Sequence, residues 1–216
     1  MRRGFSLLEL LFAIIVVSIA MLALPTMFHI VSASSDEIVK DEATFQGFQT
    51  AGVILTYRWD ENSLDPDTNR SFILDTNGDT ELNRVAGTVF RRGNMRLGQR
   101  RRFFDTATTP ATPLGLDEAS IALADDIDDF NGAGENITSN ILDLTIGTAV
   151  TYVSDTADYS RKTVTFSFGG AAPATTTNLK MVTVRVIRQD DNTPVLVYAA
   201  FAANIGDTPI LTRDLR

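Results

Sequence analysis

The sequence predicts an α+β fold in which a long N-terminal helix, its first half membrane-spanning and its second half amphipathic, packs on an antiparallel β-sheet. Three observations carry this. Residues 5–28 are apolar except for Ser6, Glu9, Ser18 and Thr26. Residues 32–59 keep apolar side chains at helical spacing. The last third of the chain alternates apolar and polar residues with period two, most plainly in KMVTVRVIR from Lys180 to Arg188.

The first element follows from length. At ~1.5 Å per residue, residues 5–28 would span roughly 36 Å as a helix, enough for a hydrocarbon core of about 30 Å. Arg2 and Arg3 precede this run and no basic cluster follows it directly. The positive-inside rule then puts the N-terminus in the cytoplasm and the C-terminal domain outside. Pro25 removes a helical hydrogen bond and is expected to soften the rod. Beyond it, Ile38, Phe45, Phe48, Gly52, Leu55 and Trp59 recur at spacings of three, four and seven, with Asp36, Glu37, Lys40, Asp41 and Glu42 on the other side. This predicts one apolar face for packing on a domain.

Residues 62–83 are polar and turn-rich. Strands are expected at Gly87–Arg92, Ala149–Ser154, Thr163–Phe168, Lys180–Arg188 and Val195–Phe201, the last two forming a hairpin across QDDNT.

Composition narrows the function. The 216 residues suit one domain with an appended element, and the net charge of −8 argues against general nucleic-acid binding. There is no cysteine, so disulfides and thiol chemistry are excluded. The single histidine, His29, ends the apolar segment, which leaves no basis for histidine catalysis or a histidine-rich metal site. No phosphate loop, nucleophile elbow or H-E-x-x-H motif occurs, and neither an enzyme nor a resident cofactor is expected.

One motif is specific. Arg3-Gly-Phe-Ser-Leu-Leu-Glu-Leu resembles the processing site of type IV prepilins and type II secretion pseudopilins. The resemblance implies cleavage between Gly4 and Phe5 by a membrane peptidase that methylates the new N-terminus. Glu9 then becomes the fifth mature residue, the position that serves assembly in that family. It also implies a leader at 1–4, a transmembrane and filament-core helix at 5–31, and an amphipathic helix with a pilin-like α+β domain at 32–216. The implied partners are other pilin or pseudopilin subunits, the prepilin peptidase, an inner-membrane assembly platform and the lipid bilayer. The implied location is the inner membrane and then the filament. The physics agrees, because an ammonium at Phe5 and a carboxylate at Glu9 of a neighbouring subunit would each be expensive alone in a low-dielectric core, and as a pair they set axial register. The acidic DDIDDFNG stretch, Asp125–Gly132, is similar to one in minor pilins of the mannose-sensitive haemagglutinin type.

Two further constellations bear on ligands. Asp75, Asn77 and Asp79 alternate as oxygen ligands do in calcium loops, although Thr80 stands where such a loop has glycine and Ala86 where it has its bidentate glutamate. An Asx-rich turn around Asn77-Gly78 is the favoured reading, with Ca2+ as the alternative. Arg91, Arg92, Arg96, Arg100, Arg101 and Arg102 lie among Phe90, Phe103 and Phe104. Interleaved arginines and aromatics can grip phosphates and stack on bases, which gives a DNA- or surface-binding alternative. Pairing of these arginines with the acids between Asp117 and Asp129 is the expected outcome.

Overall fold

The computed structural model describes residues 7–79, 82–91, 102–138, 143–154, 163 and 172–207. Leu7–Ile54 form a single helix of 48 residues, α1, which includes Pro25. Ser18 is accommodated in the apolar half by donating its hydroxyl to the Ile14 carbonyl at 2.7 Å. The helix ends before the expected limit at Trp59. Thr56 and Tyr57 turn back to the Val53 and Ile54 carbonyls, a tightening that closes the last turn. Asp60 then caps a short 3-10 turn at Glu61–Ser63, accepting the Asn62 N–H at 3.0 Å.

A two-residue hairpin follows, β1 (Leu64–Asp65) with β2 (Arg70–Ser71). The main sheet contains β3 (Gly134–Thr138), β4 (Asp143–Tyr152), β5 (Leu179–Arg188) and β6 (Pro194–Ala203). They lie side by side in the order β3-β4-β5-β6, every pair antiparallel. Helix α1 packs across β5 and β6. The core between them holds Val39, Ala43, Ala51 and Ile54 from the helix against Leu144, Ile146, Val150, Val182, Val184 and Val186 from the sheet, with Ile127 closing one end. This is the expected α+β arrangement, a long helix on an antiparallel sheet.

Several local expectations are corrected. The helix buries a different face from the one expected. Ile38, Phe45, Phe48, Gly52 and Leu55 are exposed, and the buried stripe is Val39, Ala43, Gly47 and Ala51, ending at Ile54. The reason is the closeness of the sheet, for a Cβ on Gly47 would sit 3.0 Å from Leu196 Cδ2 and 3.4 Å from Val186 Cγ2. Only small side chains fit there. Gly87–Arg91 is not a strand, since Phe90 and Arg91 make isolated bridges to Arg102 and Arg84; Arg92 lies outside the described residues. The expected strand at Thr163–Phe168 falls outside them too, apart from Thr163. β3 was not expected, and β4 starts earlier, at Asp143, because its outward residues Asp143, Thr145 and Gly147 hide the inward alternation of Leu144, Ile146 and Thr148.

Candidate functional site

Helix α1 presents two surfaces. Every residue from Leu7 to Ile38 whose side chain is described is exposed, although nearly all are apolar up to Val31. This stretch is long and apolar enough to cross a membrane. Glu9 lies in its first turn, the one acidic residue there. Gly4 and Phe5 lie outside the described residues. Further along, beyond the mostly polar residues 32–37, Phe45 and Phe48 are each 63% exposed and Ile38 is 55% exposed, so apolar side chains recur on the open side of the helix where it meets the domain. Its main contact is at Phe48, whose ring meets Tyr198 edge to face at 6.1 Å.

The Asp75–Asp79 turn is held by protein partners. Arg84 grips Asp75 with two nitrogens, Nη2 to Oδ2 at 2.7 Å and Nε to Oδ1 at 3.3 Å. Asp79 is buried, and its Oδ2 accepts the Asn178 backbone N–H at 2.6 Å and the Asn178 side-chain amide at 2.9 Å. Asn77 is exposed, its backbone N–H donating to Thr176 Oγ1 at 3.2 Å. Gly78 presses on the same segment, where a Cβ would meet Thr177 Cγ2 at 2.8 Å. The turn therefore docks the 175–178 segment, which leads into β5.

Of the six arginines, Arg91 and Arg102 are described. Arg91 donates from Nη2 to Asn178 Oδ1 at 2.5 Å, and Arg102 lies over the Phe72 ring at 5.7 Å from its centroid. Among the described residues no salt bridge joins either to the acids from Asp117 to Asp129, which departs from the pairing the sequence suggests. Arg92, Arg96, Arg100 and Arg101 lie outside the described residues.

The acids find a different cation. Lys180, fully buried in β5, bonds the Trp59 carbonyl at 2.5 Å and Asp128 Oδ2 at 2.6 Å, with Asp60 Oδ2 at 3.5 Å. Its ammonium also lies 3.9 Å from the Trp59 ring centroid. Burial raises the Asp126 carboxyl to about 6 and the Asp128 carboxyl to about 7, with Lys180 pulling both down. Asp126 is the hub of the acidic stretch, accepting N–H groups of Glu61, Asp128 and Asp129. Sequence reasoning missed Lys180. The signal was there, because Lys180 shares the parity of Val182, Val184 and Val186 and so belongs to the inward face of β5.

With this geometry in place, the comparison with known families is decisive at one end of the chain. The prokaryotic N-terminal methylation motif matches residues 1–25. This is the signal of type IV pilin and pseudopilin precursors. No curated protein and no solved structure matches the chain. The pilin-type signal ends at Pro25, and α1 runs on from it for more than half its length as the helix that packs on the sheet. Signal and apolar helix together fit membrane anchoring and filament assembly, and they point to a structural pilin-type subunit with prepilin peptidase and other pilin subunits as partners.

Proposed function

We propose that the chain is a minor pilin or pseudopilin, a structural subunit of a type IV pilus or type II secretion filament. It is made as a prepilin with its N-terminus in the cytoplasm and its domain in the periplasm. The peptidase cuts between Gly4 and Phe5. An inner-membrane platform then draws the helix from the bilayer into the filament, where Glu9 meets the new N-terminus of a neighbour.

One observation carries the reading beyond a simple membrane anchor. Exposed apolar side chains of α1 do not end where the membrane-spanning length is complete, but recur past the mostly polar residues 32–37 at Ile38, Phe45 and Phe48, alongside the folded domain. A tethered soluble domain has no use for such a stripe in water. A helix that packs against its neighbours over its whole length does. The acidic stretch similar to that of minor pilins of the mannose-sensitive haemagglutinin type, and the size of the domain, favour a minor subunit.

The test is processing. Co-expression with a prepilin peptidase should give a chain that begins at Phe5, methylated at its amine, by intact-mass analysis. Gly4→Val should leave the precursor uncut by crowding the scissile bond. An uncut wild-type chain beside an active peptidase would refute the proposal.

A further inference from the structure

Five carboxylates from three separate segments meet around Glu118. One oxygen each of Glu61, Glu118 and Asp125 lie within 4.8 Å of one another, and so do one each of Asp117, Glu118 and Asp129. Like charges this close repel strongly unless a cation or a shared proton lies among them. No salt bridge among the described residues reaches any of the five, since Lys180 is taken by Asp60 and Asp128.

A second observation points to a ligand. Asp129 is only 2% exposed. Its Oδ2 accepts the Asp125 N–H at 2.9 Å and the Asp126 N–H at 3.3 Å, but Oδ1 is buried with no hydrogen-bond partner. Glu118 Oε2 is in the same condition. The Glu118 carboxyl sits directly against those of Asp129 and Asp117. Buried carboxylate oxygens without donors are costly, and here two of them share one cluster.

We propose that this cluster is a calcium site. Its donors are all hard carboxylate oxygens, without the nitrogen or sulfur that zinc and copper prefer. Calcium takes six to eight oxygens at about 2.3–2.6 Å in irregular shells, so oxygens on opposite sides of the ion stand up to about 5 Å apart. Both trios fit within that span. Glu118 belongs to both and is the central ligand, with Asp129 Oδ1 as the buried one. The ion ties the turn after α1, through Glu61, to the loop at 117–118 and to the 125–129 turn. That last turn carries Ile127, which enters the core and donates its N–H to the Arg58 carbonyl at 2.9 Å. Calcium therefore fastens the C-terminal end of α1 to the domain. The site is separate from the Asp75–Asp79 turn, whose carboxylates already hold Arg84 and Asn178.

The experiment uses the full chain in detergent micelles with calcium chloride as the probe, followed by thermal melting of the Trp59 signal. Calcium at ~10 times the dissociation constant should raise the melting temperature by roughly 3–6 °C. The Asp117→Asn/Glu118→Gln double variant should melt higher than wild type without calcium, because repulsion is relieved, and its calcium affinity should fall roughly tenfold or more as two ligand charges are lost. Asn77→Ala should keep the full response. No shift of wild type at about 10 mM calcium would overturn the proposal. So would a shift that persists in the double variant, or one abolished by Asn77→Ala.

Discussion

The two apolar faces of the second half of α1 are built from different residues and do opposite work. One face is Val39, Ala43, Gly47, Ala51 and Ile54, mostly small and all buried. The other is Ile38, Phe45, Phe48 and Leu55, all large and exposed. Judged by hydrophobicity alone, the second is the better core. The structure buries the first because burial depends on closeness as well as on transfer energy. At Gly47 the sheet leaves almost no room, so small residues bring two backbones together and the sheet supplies the bulk through its valines. Large residues are left for a surface that this chain does not cover by itself.

This contrast can be broken by substitution, ranked here by effect on domain stability. The largest effect is expected where the buried face ends, at Lys180. Lys180→Ala removes the ammonium from the Trp59 carbonyl, Asp60 and Asp128, and leaves the two carboxylates buried without it. Loss of one partner of a buried ion pair costs about 3–5 kcal/mol. Denaturant unfolding of the variant, followed by Trp59 fluorescence, should show a loss in that range. A loss below ~1 kcal/mol would mean that Lys180 is a spectator.

Next come two glycines one helical turn and a little apart. Gly47→Leu forces a side chain into the helix–sheet contact and should cost about 1–3 kcal/mol through overpacking. At Gly52 nothing stands within 4 Å of an added Cβ. Gly52→Ala should therefore stabilise the domain by about 0.5–1 kcal/mol through helix propensity alone. Equal effects of opposite expectation, read by the same unfolding curve, would erase the distinction between the faces.

These positions also show what the sequence made legible and what it did not. The apolar half of α1 and the β5–β6 hairpin were readable because each carries its own simple pattern, a nearly unbroken apolar run for one and the alternation of a half-buried sheet for the other. The period of two from Lys180 to Arg188 became β5 almost to the residue. The packing face of α1 was misread because two apolar faces, one buried and one exposed, share its helical spacing, and the larger side chains dominate any hydrophobic pattern. β3, with the sequence GENIT, carries only one apolar side chain and is defined by pairing to β4 rather than by itself. The candidate sites divide in the same way. The N-terminal methylation motif is local and legible in the sequence, whereas Lys180 with Asp60 and Asp128, and the carboxylates around Glu118, are brought together only by the fold.

The third prediction concerns the exposed face. Phe45→Ala removes a ring that the domain leaves in water, so its melting curve should move by no more than about 0.5 kcal/mol equivalent. Phe48→Ala should cost slightly more, through its contact with Tyr198. Incorporation into filaments, measured by quantitative blotting of sheared filament fractions, should fall for both. A variant that loses stability without losing incorporation would assign these rings to the fold and leave the exposed stripe without a role.

The smallest effect on the domain, and the largest on assembly, is expected at Glu9. It lies in the first turn of α1, far along the helix from the first core residue, Val39, so Glu9→Gln should leave the unfolding curve unchanged. In the bilayer, loss of one ionised group lowers the cost of insertion, so membrane content should not fall. In a filament core the outcome reverses. An α-ammonium created at Phe5 would face a neutral amide in place of a carboxylate, and an uncompensated charge in a low-dielectric packing is expensive by several kcal/mol. Glu9→Asp keeps the carboxylate on a side chain one methylene shorter and should recover some incorporation, which a simple requirement for polarity at this position would not predict. Filament yield ordered as wild type, then Glu9→Asp, then Glu9→Gln, at equal membrane levels and equal processing, is the expected result. Equal yields for all three would show that Glu9 is merely tolerated, and would move the burden of register to the exposed stripe from Ile38 to Leu55.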